Sequence, residues 1–320
     1  MPDRQDTPAN AQPEIHLLSG SERDYEALAQ VRNATLQSTT LHEDYTPSTG
    51  EDMRRIYTRG DFSLAGNAWL IFRDEKPAAA ALVYPPALFH DRPPGNFQIY
   101  VAPHCWGRGL GSVLVAHLQQ EAVARGHRVL ETTIAQEDSH SSRFLLGHGF
   151  ITVGNSIHMT RHLGAPLTTS APEPPYTIRS LVELGEEPEI YLETGNRLGA
   201  YDPNYSLIRP EELTSMVASP RWDPAGILFV LEGNRIVGLI RATGNSAGRG
   251  YLHEIRLEPS SRGKGLGMLM LDEALNHLQR RGVDIVELDT GGENIAAQAL
   301  ATRAGFQTTR HWLHFLKPIT

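Results

Sequence analysis

Apolar and polar residues alternate through GYLHEIRLEP (250–259), the period-two pattern of a β-strand with one covered face. The stretch that follows has apolar positions at helical spacing instead, at Leu271, Leu275 and Leu278. A similar change of period occurs earlier. NFQIYVAP (96–103) reads as strand, and Leu114, Leu118 and Ala122 mark one face of a helix. Ahead of each strand lies a pair of strand-length runs broken by a turn, AWLIFRDEKPAAAALVY at Asp74–Lys76 and GILFVLEGNRIVGLIRAT at Gly233–Asn234. Further upstream, each half has a short strand (EIHLL; YTIRSL) and two helical segments (DYEALAQVRNATL and GEDMRRIYTR; PEIYLETGNRLG and PEELTSMVAS). After the long helix come a strand (RVLETTI; DIVELDT), a short helix ending in Gly-Phe, and a last strand.

The order of elements is therefore repeated. Pro103 and Pro259 are 156 positions apart, and the same offset relates Gly107 to Gly263, Gly109 to Gly265 and Gly111 to Gly267. It also relates Gly126 to Gly282, Glu131 to Glu287, and Gly149-Phe150 to Gly305-Phe306. One gapless offset over this span indicates a duplicated domain, since the period is far too long for a solenoid unit. Between the copies, LGAPLTTSAPEPPYT is rich in Pro, Ala, Ser and Thr and reads as an extended linker. The expected layout is a polar tail over 1–13, a first domain over 14–163, a linker over 164–175 and a second domain over 176–320, each domain a mixed α+β fold.

Composition narrows the functions. The chain has 320 residues, 40% hydrophobic and 21% charged, with a net charge of −8. That balance disfavours nucleic acid, which needs a basic surface. No apolar run reaches the roughly 20 residues of a membrane span. MPDRQDTPANAQPE has neither the basic cap nor the apolar stretch of a signal peptide. The single cysteine, Cys105, excludes an internal disulfide, fits a reducing cytoplasm and reads as a small buried apolar residue. The 14 histidines show no zinc-ligand spacing with cysteine, so no metal is assigned.

The candidate chemistry lies between strand and helix, in SSRGKGLG (260–267) and its counterpart HCWGRGLG (104–111). A helix start exposes unpaired N–H groups and the positive end of the helix dipole, which together favour an anion. Gly263, Gly265 and Gly267 lack the Cβ atoms that would keep a phosphate from those donors, while Arg262 and Lys264 add charge. A tight turn that merely needs glycine gives the same letters. The spacing departs from the Walker loop, since Lys264 precedes glycine rather than Ser or Thr. It departs from the dinucleotide fingerprint, which has two residues between its second and third glycines.

Arg262 through Gly267 resembles the acetyl-CoA signature of the GCN5-related N-acetyltransferases, Arg/Gln-x-x-Gly-x-Gly/Ala, and NIAAQALATRAGF (294–306) is similar to that family's second motif, Asn-x-x-Ala-x-x-Leu-Tyr-x-x-x-Gly-Phe. With both motifs echoed in the first half, the resemblance covers about 14–162 and 176–318. It implies two tandem domains of that fold, each a mixed, mostly antiparallel sheet flanked by helices. It further implies acetyl-CoA as co-substrate and a primary amine of a small molecule or peptide as acceptor. The backbone at Arg256 and Leu257 would align the pantetheine arm, with an N–H near Leu257 facing the oxyanion. The segment Arg262, Gly263, Lys264, Gly265, Leu266 and Gly267 would hold the diphosphate, and Asn294 falls on the second motif.

The first copy keeps Gly109, Gly111 and a nearby Arg108, but Trp106 stands where the second has Arg262. Glu254 aligns with Gln98 and Asp289 with Thr133. Some family members, ribosomal-protein N-acetyltransferases among them, resemble the second copy in placing a carboxylate five residues before the motif asparagine, here Asp289. Amine acetylation needs a base, so Glu254 and Asp289 are the catalytic candidates and the second copy the catalytic one. A solvated strand residue at 254 and a turn-forming aspartate at 289 remain the plain alternatives. The family's tyrosine is replaced by Ala301 and Leu145. Tyr251, Tyr201 and Tyr205 are the substitutes at hand, and Tyr201, Asp202 and Tyr205 lie where the family builds its acceptor site. Two rival functions stay open: a protein that binds acyl-CoA without turnover, and an aminoacyl-tRNA-dependent transferase.

Overall fold

A computed structural model describes residues 13–39, 47–57, 63–84, 95–164, 173, 175–202, 205, 207–219, 221–245 and 247–319. The polar tail up to residue 12 and most of the Pro-rich segment lie outside them, as does TLHEDYT (40–46) between the first two helical segments. Mixed helices and strands are arranged in two compact units. One comprises residues 1–134, 138–153 and 315–320, the other 135–137 and 154–314.

The first unit holds β1 (Ile15–Leu17), β2 (Ala68–Arg73), β3 (Lys76–Tyr84), β4 (Gly95–Val101) and β5 (Val129–Ala135 as far as Ile134), in that spatial order. Helices α1 (Glu22–Thr39), α2 (Gly50–Tyr57), α3 (Leu110–Ala124) and α4 (Ser139–Gly147) belong to it. The β2–β3 turn is made by Asp74 and Glu75, both at positive φ, the geometry of a tight hairpin. β4 pairs with β5 in parallel only at Gly95–Leu130 and Asn96–Glu131.

The second unit holds β7 (Tyr176–Ser180), β8 (Ile227–Glu232), β9 (Arg235–Gly244), β10 (Arg249–Leu257) and β11 (Ile285–Gly291). Its helices are α5 (Leu181–Leu184), α6 (Glu189–Gly199), α7 (Pro210–Val217), α8 (Leu266–Arg280) and α9 (Ile295–Arg303). Its sheet also takes in β6 (Ile151–His162) from residue 154 on, giving the order β6-β11-β10-β9-β8-β7. β6 runs antiparallel to β11, from His162 opposite Ile285 to Ser156 opposite Gly291. The last strand, β12 (Gln307–Pro318), is shared out the other way. Residues 307–314 belong to the second unit and 315–320 to the first, where Lys317 Nζ donates to the carbonyl of His148 at 2.6 Å and Ile319 N to that of Arg128 at 2.8 Å. The compact units thus differ from the two sequence halves at their final strands.

Side chains of β10, β11 and β6 separate by face. Leu252, Val286, Leu288, Ile157 and Met159 are buried against Met270, Leu271, Ala274, Leu275 and Leu278 of α8. A second cluster covers the opposite face near β8 and β9, where Tyr191 and Leu198 of α6 and Leu213 of α7 pack on Phe229 and Leu239. Beyond that cluster the same face carries Arg249, Tyr251, Glu287, Asp289 and His158, and there it is polar.

Candidate active site

The strand–loop–helix frame of the second unit has two distinctive features. β10 pairs in parallel with β11 from Arg249–Ile285 to Leu252–Leu288, and there the ladder ends. On its other edge β10 continues against β9 to Leu257–Gly238, with an irregularity between Leu252 and Glu254 that accommodates His253 as an extra residue. From this bulge onward the β11-facing edge of β10, which includes Arg256 and Leu257, has no strand partner among the described residues. An extended ligand arm fits such an edge by strand addition.

The second feature is the loop. A single 3₁₀ turn, Pro259–Ser261, delivers the chain to Arg262, Gly263 at φ +75° and Gly265 at φ +79°, the N-cap of α8. A Cβ at Gly263 or Gly265 would meet no protein atom within 4 Å, so these glycines face open space and are required by their left-handed backbone. Gly267 differs from expectation. Its φ is not in that region, and a Cβ there would meet Leu300 of α9 at 3.3 Å and Leu257 at 3.8 Å. It lets α8 approach α9 and does not clear room for a phosphate. Leu266 is buried, so its contribution to an anion site is its backbone alone.

Arg262 is exposed and donates from Nε to the carbonyl of Leu257 at 3.2 Å. Lys264 Nζ donates to the Tyr176 hydroxyl at 2.7 Å, which raises its pKa. Asn294 caps α9, its Oδ1 accepting from Ala297 N at 3.1 Å. Open left-handed glycines, a helix N-terminus, two cations at the rim and an unpaired strand edge form a set of donors suited to a nucleotide diphosphate with an extended arm.

The first unit repeats the backbone. Gly107 and Gly109 are at φ +72° and +79°, Arg108 is exposed, and a Cβ at Gly111 would meet Phe144 at 3.0 Å. Trp106 occupies the place of Arg262 in hydrogen bonding too. Its Nε1 donates to the carbonyl of Val101 at 2.7 Å, the counterpart of Leu257, and its ring stacks on His140. The indole reproduces the bond of the guanidinium and omits the charge.

The two candidate carboxylates have different surroundings. Glu254 is nearly buried, its side chain 9% exposed. Its Oε1 accepts from Tyr191 at 2.5 Å and its Oε2 from Arg256 Nε at 2.8 Å, with Arg241 at 4.0 Å. Arg256 also lies over the ring of Tyr205, whose hydroxyl donates to Asn196 at 2.8 Å. Glu254 anchors the bulge to Tyr191 of α6 and, through Arg256, to Tyr205. Asp289, by contrast, is 43% exposed and is the first residue of β11 beyond the paired ladder. Its Oδ2 accepts from Tyr251 at 2.5 Å and its Oδ1 faces His158 Nδ1 at 2.9 Å. Burial pushes its pKa up, but the hydrogen bonds from His158 and Tyr251 more than offset this and hold it below the usual carboxylate value. Tyr251, by burial and by its bond to Asp289, lies well above the ordinary phenol range, so it stays protonated.

Sequence reasoning missed His158, which arrives on β6 from the other half of the chain. Alternation in SIHMTRH marks its face but carries no sign of its partner. Tyr201 is exposed, while Ala301 and Leu145 point into the cores, so no hydroxyl replaces the family tyrosine at those positions. Cys105 is buried. Among the described residues, no group of three or more His, Cys, Asp or Glu is placed to hold a metal ion, and no helix is long and apolar enough to cross a membrane. Next to the Asp289 cluster lies a pocket of about 340 Å³, lined by Arg221, Thr243, Arg249, Tyr251, His253 and Glu287 among others.

The acetyltransferase (GNAT) family model matches residues 31–150 and 199–306. The chain belongs to the GNAT acetyltransferase family. It carries the domain twice and is an N-acetyltransferase by that membership. The mycothiol acetyltransferase of Geodermatophilus obscurus is 28% identical over 225 residues, covering 67% of this chain and 70% of that protein. The one from Streptomyces griseus is 26% identical and covers 94% of this chain and 89% of that protein. The GCN5-related N-acetyltransferase of Sphaerobacter thermophilus superposes with a TM-score of 0.78 at 24% identity, covering 96% of this chain and 95% of that one. A tandem GNAT protein from the clavulanic acid biosynthesis pathway gives 0.70 at 16% identity, with 97% and 99% covered. These structures share the fold.

Proposed function

We propose that the second unit transfers an acetyl group from acetyl-CoA to a primary amine of a small polar molecule, and that the first unit is non-catalytic. The observation that carries this reading is the end of the β10–β11 ladder at Leu252–Leu288, with Asp289 at the opening and the left-handed glycines Gly263 and Gly265 at the far end. Backbone N–H groups from Gly263 to Gly267 hold the diphosphate, the Arg262 N–H being spent on the carbonyl of Pro259, and the side chains of Arg262 and Lys264 add charge. The free edge of β10 at Arg256 and Leu257 aligns the arm, and an N–H near Leu257 faces the carbonyl oxygen as it gains charge. Acetyl-CoA supplies an activated thioester. The neutral amine of the acceptor attacks its carbonyl, and a proton leaves the nitrogen as the C–N bond forms.

Asp289 is the acceptor of that proton, because it accepts from Tyr251, which lines the pocket, whereas both oxygens of Glu254 are engaged in a nearly buried site. With Ala301 and Leu145 buried, water protonates the departing thiolate, which as a thiolate leaves far more readily than an alkoxide. The lining of Arg221, Thr243, Arg249, Tyr251, His253 and Glu287 suits a hydrophilic acceptor with several hydrogen-bonding groups. The relatives' names support placing a mycothiol-related amine first among acceptors to be tried.

The test is release of CoA thiol from acetyl-CoA across a panel of amines, with the acetylated product identified by mass. Turnover with at least one amine, abolished by Gly265→Val, supports the reading. Tight acetyl-CoA binding with no thiol release for any amine would instead make the chain a non-catalytic acyl-CoA binder.

A further inference from the structure

We propose that His158, carried on β6 from the first half of the chain, is the positioning residue of the proton route in the second unit. It fixes Asp289 so that Tyr251 can pass the amine's proton to it. This rests on the reading of Asp289 given above. Ile157 and Met159 on either side of His158 are buried in the α8 core, which commits the imidazole to the opposite face. There its Nδ1 lies 2.9 Å from Asp289 Oδ1, and its Nε2 lies 3.7 Å from Glu287 Oε1. Asp289 is 43% exposed and without His158 would keep only the Tyr251 hydroxyl as a side-chain donor, with Oδ1 turned to solvent, whereas His158 is only 22% exposed and held by its strand.

With Oδ1 occupied by His158, Oδ2 meets the Tyr251 hydroxyl at 2.5 Å. The phenol proton then points at the carboxylate, and the phenol oxygen keeps its lone pairs for the pocket that Tyr251 lines. As the nitrogen lone pair forms the C–N bond, the N–H proton moves to the Tyr251 oxygen and the Tyr251 proton moves to Asp289 Oδ2. The C–S bond breaks with its electron pair on sulfur, and water protonates the thiolate. His158 gains and loses nothing in this step. Because Tyr251 is restored as fast as it donates, a phenol with a raised pKa suits the role and no phenolate accumulates.

The charge on His158 controls the route. Asp289 and Glu287 from β11 and Arg310 on β12 act on it, while Tyr251 from β10 and His314 on β12 act on Asp289. The hydrogen bond with Asp289 raises the imidazole pKa above its ordinary 6.5; burial opposes this, the charges of Asp289 and Glu287 assist, and Arg310 opposes. Below that pKa the imidazolium competes for the negative charge of Asp289 and weakens it as a proton acceptor. Above it, the neutral ring holds the carboxylate without that charge. Activity therefore rises with pH through a value above 6.5.

The experiment compares wild type with His158→Ala and His158→Asn in the full chain. It measures kcat against pH with the best amine, acetyl-CoA affinity by calorimetry, and the His158 titration by NMR in wild type and Asp289→Asn. His158→Ala should lower kcat about 10–100-fold, the usual scale for a misplaced reacting group, while leaving acetyl-CoA affinity unchanged. Asparagine can donate one hydrogen bond but cannot titrate, so His158→Asn should recover part of kcat and lose the rising limb. In Asp289→Asn the His158 pKa should fall toward 6.5. If His158→Ala fails to fold, the asparagine variant and the titration decide. Wild-type turnover together with unchanged kcat and an unchanged limb in the histidine variants, or a His158 titration indifferent to Asp289→Asn, overturns the proposal. Absence of wild-type turnover with every amine overturns the parent reading instead, and the titration still reports the pairing.

Discussion

Gly265 and Gly267 belong to one motif but do different physical work, and replacing each by alanine separates the two roles. Gly265 caps α8 at φ +79° and ψ −9°. An L-residue in that region costs roughly 1–2 kcal/mol. For a unit of this size each kcal/mol lowers Tm by about 2–4 °C, so Gly265→Ala should melt about 2–8 °C below wild type. The added methyl meets no protein atom within 4 Å, so it projects into the space where the diphosphate is proposed to sit. Losing one charge-assisted hydrogen bond there costs about 1.5–3 kcal/mol, or roughly 10–100-fold in affinity. Gly267 lies inside the helix, where alanine gains about 0.5–1 kcal/mol over glycine. That gain is opposed by the contact with Leu300 at 3.3 Å, which requires the leucine to yield by a few tenths of an ångström. Gly267→Ala should therefore stay within about 1 kcal/mol of wild type and keep its affinity. Thermal melts followed by circular dichroism and calorimetric titration with acetyl-CoA measure both. Full affinity in Gly265→Ala together with lost affinity in Gly267→Ala would refute the division of roles.

Two further variants test the framework. Asp223 Oδ2 accepts from His277 at 2.8 Å and Arg281 at 2.7 Å, and these partners hold its pKa below the usual carboxylate value despite burial. A depressed pKa stabilises the fold above the unfolded value near 4 and is lost as pH falls through the folded value. Asp223→Asn should thus cost about 1–3 kcal/mol at neutral pH, and the Tm gap to wild type should close below about pH 4. Gly226→Ala places its Cβ 2.3 Å from the carbonyl oxygen of Ala242, a backbone atom that cannot step aside, so it should lose about 1–3 kcal/mol or more in denaturant titrations.

The α+β character, the duplicated domain and the glycine-capped helix start were legible in the sequence because period, turn residues and offset are local signals. Both hairpins turn where the sequence indicates, at Asp74–Glu75 and at Gly233. The exchange of final strands was not legible. Alternation along β6 fixes which residues face the core but not which strand lies alongside, and β11 and β6 are far apart in the chain. His158 was hidden for that reason: its partner Asp289 is 131 positions away. Gly267 was misread for another reason, since a glycine that admits a neighbouring helix is spelled like one that admits a ligand. The short helix α5 also escaped, although Ser180 and Glu183 form its reciprocal capping box.

The proton-accepting role of Asp289 is tested most directly by the single-turnover rate of CoA release by wild type and Asp289→Asn, each saturated with acetyl-CoA and a reactive amine. General-base removal predicts a fall of about 10²–10⁴-fold with acetyl-CoA affinity unchanged. An Asp289→Asn enzyme that releases CoA at the wild-type rate would contradict it.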